Sequence, residues 1–542
     1  MTLNKIYTIP RIIRVYEVLS DILVKKLGYK AYLVGGLVRD LLLGKDAKDY
    51  DIVALVKDIM IVRDGLESLG YHVGVVNPRF NTLRFSLNVD GVVEEIDIVI
   101  PRYETYTSGS RKPDTRSAES IDEDYLRRDF TVNALYLELG RDLRSLFKED
   151  YSIDRSKITD FVEDPSGKGL NDLFGIAHGW SRGVPILRLC EKADVVFSDD
   201  PLRILRAFRF LTKGFEFSEE LHEGLLNNMS KFVAGEIISW DRVRNEITKI
   251  LLKADRDQLV RVFRLMHEYG LLSIILPEVD RMYGFDQKNK YHNSTLWGHT
   301  FRVLSYVKRN LGVWTRKEWL TEKVGLEDDV ISLKDAIKAE VGQLCVDPVL
   351  CLLLAALFHD VAKPDVQSLG KDGYMHYYEH DTKSAELAKE ILGNDHLKYP
   401  TDVQNFVAAI IDRHMLLKGF DSSKFNPKRI KKLREHFIVK FHGNKVDIQN
   451  ICLALILADD MSHATPSSDN VDNWTDQWGK YVEDIKSQPP VPELKFTGYD
   501  VMIYFKLQPG KEVGKVLKDL RELQEKVNAK SFEELAEKYE LR

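Results

Sequence analysis

In this chain of 542 residues, strand-like apolar runs occur only near the start, and helical spacing dominates the rest. This division constrains the fold more than any other feature of the sequence. Residues 31–36 (AYLVGG), 49–55 (DYDIVAL) and 92–100 (VVEEIDIVI) are short apolar runs typical of strands. From about residue 120 the apolar residues follow helical spacing nearly to the end. We therefore predict an α+β protein with a small α/β head followed by all-helical parts.

The length exceeds what one hydrophobic core supports, so several domains are expected. Loop-like breaks fall at 104–120, 164–171 and 464–492. The predicted organisation is a head at 1–140, a neck at 141–225, a helical body at 226–288, a further helical domain at 289–470 and a C-terminal arm at 471–542.

Composition excludes some classes of function. The formal net charge is -6, so binding to a polyanion must rest on local basic patches and bound metal. None of the four cysteines forms a CxxC pair, which argues against a zinc site or a disulfide framework and favours a reducing cytoplasm. The longest apolar run, VLCLLLAALF at 349–358, is about half of a membrane span. We expect a cytoplasmic protein.

A phosphate site is predicted where the first strand meets a helix. Backbone N–H groups at Gly35 and Gly36 are available to a triphosphate at the start of that helix. Asp49 and Asp51 are two residues apart on a strand, so both carboxylates face one side and can share a divalent ion. Asp97, on another strand, is the third acid, with Glu95 on the same face as its rival. Three carboxylates with one or two Mg²⁺ ions suit in-line nucleotidyl transfer.

The stretch YLVGGLVRDLLLGKDAKDYDIV at 32–53 resembles the signature of DNA polymerase beta-like nucleotidyltransferases. The branch it matches holds class II CCA-adding tRNA nucleotidyltransferases and bacterial poly(A) polymerases. The resemblance implies that Asp49 and Asp51 hold Mg²⁺ and that Asp97 completes the catalytic set. Gly35, Gly36 and Arg39 are then nucleotide-binding residues.

The segment LRRDFTVNALYL at 126–137 is similar to the next motif of that family, which holds the ribose. The match implies nucleotide-binding roles for Arg128, Asp129 and Asn133. Asp129 can accept a hydrogen bond from a 2′-hydroxyl, and Asn133 is expected one helical turn further on the same face. The alternative is an ordinary helix start over a buried Phe130.

SDDPLRILRAFRF at 198–210 predicts a helix capped by Ser198, with Asp199 and Asp200 in its first turn. Asp200 and Arg203 then share one face. The carboxylate can accept from the amino group of cytosine or adenine while the guanidinium donates to the ring nitrogen, which selects C and A together. The stretch resembles the family's base-reading motif, and we assign Arg206 to nucleotide binding as well. Asp199 stands where the family usually has glutamate.

Two later segments extend the resemblance. ISWDRVRNEITKILL at 238–252 resembles the next family helix, and there Arg242 and Glu246 are spaced for an i, i+4 pair. TGYDVMIYFKLQPGKEVGKVLKDL at 497–520 looks like the C-terminal arm of class II enzymes, which implies contact with the tRNA elbow. The basic run KFNPKRIKKLREHF at 424–437 is either an RNA contact or a solvated face.

A second set of metal-ligand residues lies in LWGHT at 296–300, ALFHDVAKP at 356–364 and LILADD at 455–460. Histidine nitrogens and carboxylate oxygens form transition-metal sites. In this order the residues resemble an HD-domain phosphohydrolase, which implies phosphatase or 2′,3′-cyclic phosphodiesterase activity with Ni²⁺, Mn²⁺ or a similar ion. The implied ligands are His299, His359, Asp360 and Asp459, with Asp460 as a rival and His380 and His414 available for a second metal.

These patterns predict a CCA-adding tRNA nucleotidyltransferase that uses CTP, ATP and Mg²⁺, binds the tRNA 3′ end and acceptor and elbow region, and binds no DNA or membrane. An A-adding enzyme or a poly(A) polymerase remains an alternative, as do a CC-adding enzyme and a catalytically inactive tRNA scaffold. Another is an HD phosphohydrolase whose head only binds RNA. The segments 174–197 and 312–347 are longer than the family's usual connections and have no assigned role.

Overall fold

The computed structural model describes residues 3–45, 47, 49–105, 114–117, 120–177, 180–181, 183–288, 294–313, 347–416, 435–441, 444–463, 496–524 and 531–540. It divides into two compact units, Met1–Ala254 with Arg261–Ile275 and Asp255–Val260 with Leu276–Arg542. Most of the 312–347 segment and of the basic run at 424–437, and the break at 464–492, lie outside the described residues.

A mixed sheet forms the centre of the first unit. The strands up to residue 163 are β1 (Ala31–Val34), β2 (Tyr50–Ala54), β3 (Val73–Asn77), β4 (Thr82–Val89), β5 (Val92–Val99), β6 (Arg102–Thr105), β7 (Asp114–Ser117), β8 (Tyr136–Glu138) and β9 (Val162–Glu163). Seven of them form one sheet in the order β3-β4-β5-β2-β1-β8-β9, while β6 and β7 pair with each other. β2 and β5 run parallel, and the other neighbours in the sheet are antiparallel. The three strands expected from sequence are confirmed as β1, β2 and β5.

Helices cover this sheet and continue beyond it, all in the first unit except that the first five residues of the helix Arg256–Glu268 belong to the second. They are α1 (Leu3–Leu19), α2 (Gly36–Leu42), α3 (Ile59–Ser68), α4 (Ile121–Tyr125), α5 (Ile158–Phe161), α6 (Gly169–Phe174), α7 (Ala193–Asp199), α8 (Leu202–Leu211), α9 (Glu219–Asn228), α10 (Trp240–Lys253), α11 (Arg256–Glu268) and α12 (Leu271–Ile275). A π-helical stretch, Ser20–Lys26, follows α1. Short strands are β10 (Ile176–Ala177), β11 (Trp180–Ser181), β12 (Ile186–Leu187) and β13 (Glu216–Phe217).

Apolar spacing explains how these helices pack. In α8, Leu202, Leu205 and Phe208 are buried, as the sequence pattern predicts for one apolar face. On one side of the sheet, Val34 and Tyr136 pack with Ile121 of α4. This contact fixes α4, and the turn after it, against β1 and β8.

The second unit is mainly helical. Its helices are α13 (Pro277–Asp280), α14 (Leu296–Val313), α15 (Pro348–Phe358), α16 (Lys363–Val366), α17 (His380–Leu392), α18 (Thr401–Ile411), α19 (Gln449–His463), α20 (Gly498–Phe505), α21 (Lys511–Gln524) and α22 (Phe532–Glu540). Two hairpins pair β14 (Ser368–Leu369) with β15 (Met375–His376) and β16 (Ile438–Phe441) with β17 (Asn444–Asp447). The last three helices share a small core of their own around Val501, Leu520 and Leu535.

Helix α15 contains the longest apolar run of the sequence, and nearly all of its residues are buried in the second unit. Within the described residues, no helix combines the length and the hydropathy that crossing a membrane requires.

Candidate active site and metal cluster

Two of the three predicted catalytic acids lie on neighbouring strands. Asp51 of β2 and Asp97 of β5 are direct partners in the parallel register. Asp49 is exposed and lies one residue before β2. Gly35 has φ +78°, and a Cβ atom built there would lie 3.3 Å from Oδ2 of Asp51, so the glycine turn and the carboxylate are adjacent. Burial raises the pKa of the Asp51 carboxyl, and the nearby Asp97 adds to the effect.

A two-point ion pair distinguishes Asp97 from its rival. Both oxygens of Asp97 accept hydrogen bonds from Arg84, at 2.7 Å from Nε and 2.7 Å from Nη2. Glu95 lies 3.5 Å from the same guanidinium, and its side chain is 60% exposed. Asp97 lines the cavity described below, whereas Glu95 does not.

The residues expected to hold the ribose form a buried network. Asp129 accepts hydrogen bonds from Nδ2 of Asn133 at 2.9 Å and from Nε of Arg206 at 2.9 Å. Burial alone would raise the pKa of Asp129, but Arg206 and Asn133 hold it well below its usual range. Arg39 donates to Oδ1 of Asn133 and, through Nε, to Asp40 at 2.7 Å.

The helical interpretation of this motif was wrong. The backbone forms a bridge at Phe130 and a single 3₁₀ turn over Thr131–Asn133. Asn133 therefore reaches Asp129 across a tight turn, not along one face of an α-helix.

Asp124 orients two arginines that line the cavity, Arg127 and Arg128. It is fully buried, and it accepts hydrogen bonds from Arg127 at 3.0 Å, from Arg128 at 2.8 Å and from the Tyr136 hydroxyl at 2.8 Å. We did not identify Asp124 from the sequence. Its i, i+3 and i, i+4 spacing to two arginines was the available signal.

The base-reading segment is broken where a continuous helix was expected. Helix α7 ends at Asp199 and α8 begins at Leu202, so the prediction that Ser198 caps a helix containing Asp199 and Asp200 was wrong. Asp200 is extended, with φ -150° and ψ 97°. Pro201 cannot donate a backbone hydrogen bond, which explains why a new helix starts there. Oδ1 of Asp200 instead accepts from the N–H of Leu202 at 3.2 Å.

Asp200 and Arg203 are oriented by separate partners. Asp200 accepts from Arg242 of α10 at 2.7 Å. Arg203 donates to the carbonyl oxygens of Arg127 at 2.5 Å and Val196 at 3.2 Å.

The i, i+4 pair expected between Arg242 and Glu246 is not formed, because each has another partner. Glu246 is buried and pairs with Arg209 of α8 and with Lys249. Both residues therefore tie α10 to the base-reading segment.

One cavity of about 680 Å³ joins these groups within the first unit. We call it the head cavity. Asp51 and Asp97, the partners in the strand register, line this cavity together with Asp129, the residue expected to hold the ribose. Asp200 and Arg203, the expected base-reading pair, also line it. Four further arginines complete the charged lining: Arg84, Arg127, Arg128 and Arg206. Carboxylates that suit a hard divalent ion thus share a space with cations that suit phosphates.

The second unit brings its six predicted ligands together. The potential ligand atoms fall into three groups within 4.8 Å: His299 with His359 and Asp360, His299 with Asp459 and His463, and Asp360 with His380 and His414. We call these residues the metal cluster. Asp360 belongs to two groups, so one carboxylate can serve two ions. Asp459 approaches Nε2 of His299 at 3.0 Å, which favours it over Asp460.

Hydrogen bonds fix the orientation of the histidines. Nδ1 of His359, His380 and His414 contacts the carbonyl oxygens of Ala356, Tyr377 and Ile411 at 2.9, 2.7 and 2.6 Å. The proton therefore belongs on Nδ1, and the Nε2 lone pair is left for a metal.

In His299 the proton is also placed on Nδ1, here by a hydrogen bond to a serine hydroxyl. Ser462 donates its hydroxyl proton to the Asp459 carbonyl at 2.6 Å, so its oxygen accepts from Nδ1 of His299 at 2.7 Å.

The donor set fits a transition metal. Nε2 of His414 is buried with no hydrogen-bond partner among the described residues. Burial lowers the pKa of His414 to about 3, so this imidazole is neutral, as a ligand must be. Burial alone would raise the pKa of Asp360, but His359 and Lys363 hold it well below the usual range. A mixed nitrogen and oxygen set of this kind suits Mn²⁺, Fe²⁺ or Ni²⁺.

Three residues around the cluster were missed from the sequence. Lys363 places Nζ 2.6 Å from Asp360 and 3.1 Å from Oε1 of the buried Gln287. His463 lies 3.4 Å from Asp459. Spacings of three residues from Asp360 to Lys363 and four from Asp459 to His463 were the available signals.

Comparisons with known proteins agree with this organisation. Residues 31–173 match a family model described as the poly A polymerase head domain. Residues 214–283 match the probable RNA and SrmB-binding site of polymerase A, and residues 311–456 match the HD domain. The HD match includes His359, Asp360, His380 and His414, and the structure adds His299 and Asp459 from outside it.

Sequence similarity to two known enzymes covers most of the chain. An A-adding tRNA nucleotidyltransferase of Deinococcus radiodurans is 26% identical over 91% of this chain and 91% of its own. A CC-adding tRNA nucleotidyltransferase of Thermus thermophilus is 26% identical over 91% of this chain and 89% of its own. A solved structure of a CCA-adding enzyme in its apo form II has a TM-score of 0.54 at 20% identity, covering 98% of this chain and 96% of that one.

Together with these matches, the fold and the head cavity indicate an enzyme of the nucleotidyltransferase class, with a head like that of poly A polymerases and a helical HD domain. Within that class, the chain is similar to the poly A polymerase head domain in residues 31–173, and to an A-adding and a CC-adding tRNA nucleotidyltransferase along most of its length.

Proposed function

We propose that this protein adds C, C and A to the 3′ end of tRNA from CTP and ATP, without a nucleic-acid template. The observation that carries the proposal is the head cavity, which joins Asp51 and Asp97 to Asp200 and Arg203. A cavity lined in this way can hold a metal-bound triphosphate beside Asp51 and Asp97 and contact the base through Asp200 and Arg203. A cytoplasmic location and contact with the tRNA acceptor and elbow region belong to this proposal.

In this proposal the acids bind metal and the glycine turn binds the triphosphate. Asp49, Asp51 and Asp97 would hold Mg²⁺, and the bound ion would supply charge stabilisation for the entering and leaving oxygens of the phosphoryl transfer. The glycine turn at Gly35 and Gly36 receives the triphosphate. The 3′-hydroxyl of tRNA attacks the α-phosphorus, pyrophosphate leaves, and a carboxylate of the set accepts the hydroxyl proton.

Base selection follows from two fixed groups. Arg242 orients the Asp200 carboxylate, which accepts from the amino group of cytosine or adenine. Arg203, held by the Arg127 carbonyl, donates to the adjacent ring nitrogen. Uracil and guanine present a carbonyl to the carboxylate, and that unpaired contact costs roughly 1 to 3 kcal/mol.

The metal cluster adds a second proposed activity, hydrolysis of phosphate esters at RNA ends. Its ligands are His299, His359, Asp360 and Asp459, with His380 and His414 for a second ion. A bound metal supplies Lewis acidity at the phosphate. The Lys363 ammonium, 2.6 Å from Asp360, adds a positive charge beside the site.

A second candidate for the head is the addition of A alone, because one full-length relative is an A-adding enzyme. Three tRNA substrates, ending before CCA, after C and after CC, separate the possibilities. Full CCA addition predicts two C additions with CTP and one A addition to the CC end with ATP. Use of ATP on the CC end with no use of CTP would identify an A-adding enzyme.

Single substitutions separate the two sites. Asp49→Ala should abolish nucleotide addition and leave hydrolysis intact, whereas Asp360→Ala should do the reverse. Addition that survives Asp49→Ala would exclude a catalytic head, and two silent variants would leave only a tRNA-binding scaffold.

A further inference from the structure

A hairpin beside the metal cluster and the segment that follows it carry aromatic rings that neither proposed reaction uses. It pairs Ser368 with His376 and Leu369 with Met375. In the sequence the hairpin lies between Asp360 and His380, and both of these residues belong to the metal cluster. Its two ends are therefore anchored at the cluster, so the hairpin lies at the rim of that site.

His376 at the end of the hairpin and Tyr378, two residues after it, form a stacked pair of rings, which we call the platform. The rings of His376 and Tyr378 are stacked at 5.4 Å between centroids, with an angle of 3° between planes. Asp372 holds Nε2 of His376 at 2.9 Å, and the Tyr378 hydroxyl lies 3.4 Å from Nδ1. Tyr378 is 70% exposed, so the stacked pair presents ring surface to solvent.

The same short segment connects the platform to the cluster. Tyr377 lies between the two platform residues in the sequence, and its carbonyl oxygen fixes Nδ1 of His380 at 2.7 Å. Its ring lies 5.7 Å from the Lys363 ammonium, which contacts Asp360. A ligand bound across this rim would meet an aromatic surface first and positive charge next.

We propose that the platform stacks the terminal nucleobase of an RNA whose 3′-phosphate enters the metal cluster. The inference rests on the proposed phosphohydrolase activity and names its substrate class. Phosphate suits a metal ion held by the cluster and the Lys363 ammonium beside it, and a base that follows the phosphate by one sugar suits a stacking ring. In the hydrolysis, a water oxygen bonds to phosphorus, the bond from phosphorus to ribose O3′ breaks, and the water proton goes to O3′.

A pair of oligonucleotides with 3′-phosphates tests the platform directly, one ending in adenosine and the other in an abasic residue. Tyr378→Ala should lower kcat/KM at least tenfold on the adenosine end and less than twofold on the abasic end. Tyr378→Phe should retain activity. Leu369→Ala, which removes an equally exposed apolar side chain from the hairpin, is the matched control and should change neither. Equal losses on both substrates, or none, would overturn the proposal.

A second readout does not depend on hydrolysis. Terminal 2-aminopurine loses fluorescence when it stacks, and a 3′-phosphate blocks its use by the head. Full-length protein with Mn²⁺ should quench this probe, and Tyr378→Ala should relieve the quenching while Leu369→Ala does not. Absence of any hydrolysis by the unmodified protein would defeat the phosphohydrolase proposal alone. Quenching that is unchanged in Tyr378→Ala would defeat the platform.

Discussion

Arg206 of α8 donates two hydrogen bonds to one oxygen of Asp129, at 2.9 Å from Nε and 2.5 Å from Nη2. The residue proposed to hold the ribose is thus held by the helix that carries the base-reading arginine. Asp129 is buried, so its charge depends on this guanidinium. With the proposed roles, this one side chain would couple ribose recognition to base recognition.

Replacing Arg206 with alanine should damage stability and nucleotide binding together. The buried carboxylate loses its charged partner, so the free energy of unfolding should fall by about 1 to 3 kcal/mol. KM for both CTP and ATP should rise. Urea denaturation and steady-state kinetics measure the two effects. Arg264→Ala, an exposed arginine paired with Glu268 on α11, should change stability by less than about 0.5 kcal/mol. Equal effects of the two substitutions would contradict the coupling.

Asp51→Asn should separate catalysis from stability. Burial raises the pKa of this carboxyl, so its charge opposes folding and the neutral amide should raise the thermal midpoint. Addition of nucleotides should fall by a factor on the order of 1,000 or more, because a charged metal ligand is lost. Melting curves and incorporation rates provide the comparison.

The same experiment distinguishes the two candidates for the third acid. Asp97→Asn should reduce incorporation strongly. Glu95→Gln, on the same face of β5, should remain within about twofold of the unmodified enzyme. The reverse order would transfer the catalytic role to Glu95.

Lys213 should make stability depend on pH. It contacts Asp40 at 3.2 Å and lies near Arg39 and Arg209, and burial lowers its pKa to about 8. Between pH 8 and 10 the unfolded chain, with a lysine pKa of about 10.4, binds more protons here than the folded one. The free energy of unfolding should therefore increase with pH over this range, and Lys213 should contribute up to about 1.4 kcal/mol per pH unit to that increase.

Lys213→Met removes that contribution. Urea denaturation at several pH values from 7.5 to 10 should show the unmodified protein gaining stability relative to the variant. Parallel curves across this range would mean that Lys213 keeps an ordinary pKa.

Metal content tests the cluster without reference to any reaction. His414→Ala should lower the transition metal bound per chain, measured by elemental analysis after dialysis against Mn²⁺, because Nε2 of His414 has no other partner among the described residues. His72→Ala, at an exposed histidine of the first unit, is the control and should leave metal content unchanged. Unchanged metal content in His414→Ala would remove this residue from the ligand set.

Residues close together in sequence, and strands with strong apolar patterns, were predictable. β1, β2 and β5 appear where the apolar runs lie, and the order of histidine and aspartate motifs indicated the metal cluster. Partners distant in sequence were not predictable. Arg242 and Glu246 have the spacing of a helical pair, yet each finds a partner on another element, Asp200 and Arg209. Side-chain spacing defines which pairs are possible, and packing between helices decides which form.

The break at Pro201 shows the same limit in the backbone. The segment has the composition of a capped helix, but proline ends α7 and starts α8, which leaves Asp200 extended and available to the head cavity. The proline at this position was the available signal for the break.

The central claim is that the head cavity reads the base with Asp200 and Arg203. Its most direct test is single-turnover incorporation of each of the four nucleotides by the unmodified enzyme and by Arg203→Ala, on tRNA substrates with successive ends. We predict that the unmodified enzyme strongly prefers CTP and ATP, and that Arg203→Ala reduces this preference roughly 5- to 150-fold, as expected for a loss of about 1 to 3 kcal/mol. An Arg203→Ala enzyme that adds nucleotides with unchanged preference would contradict the claim.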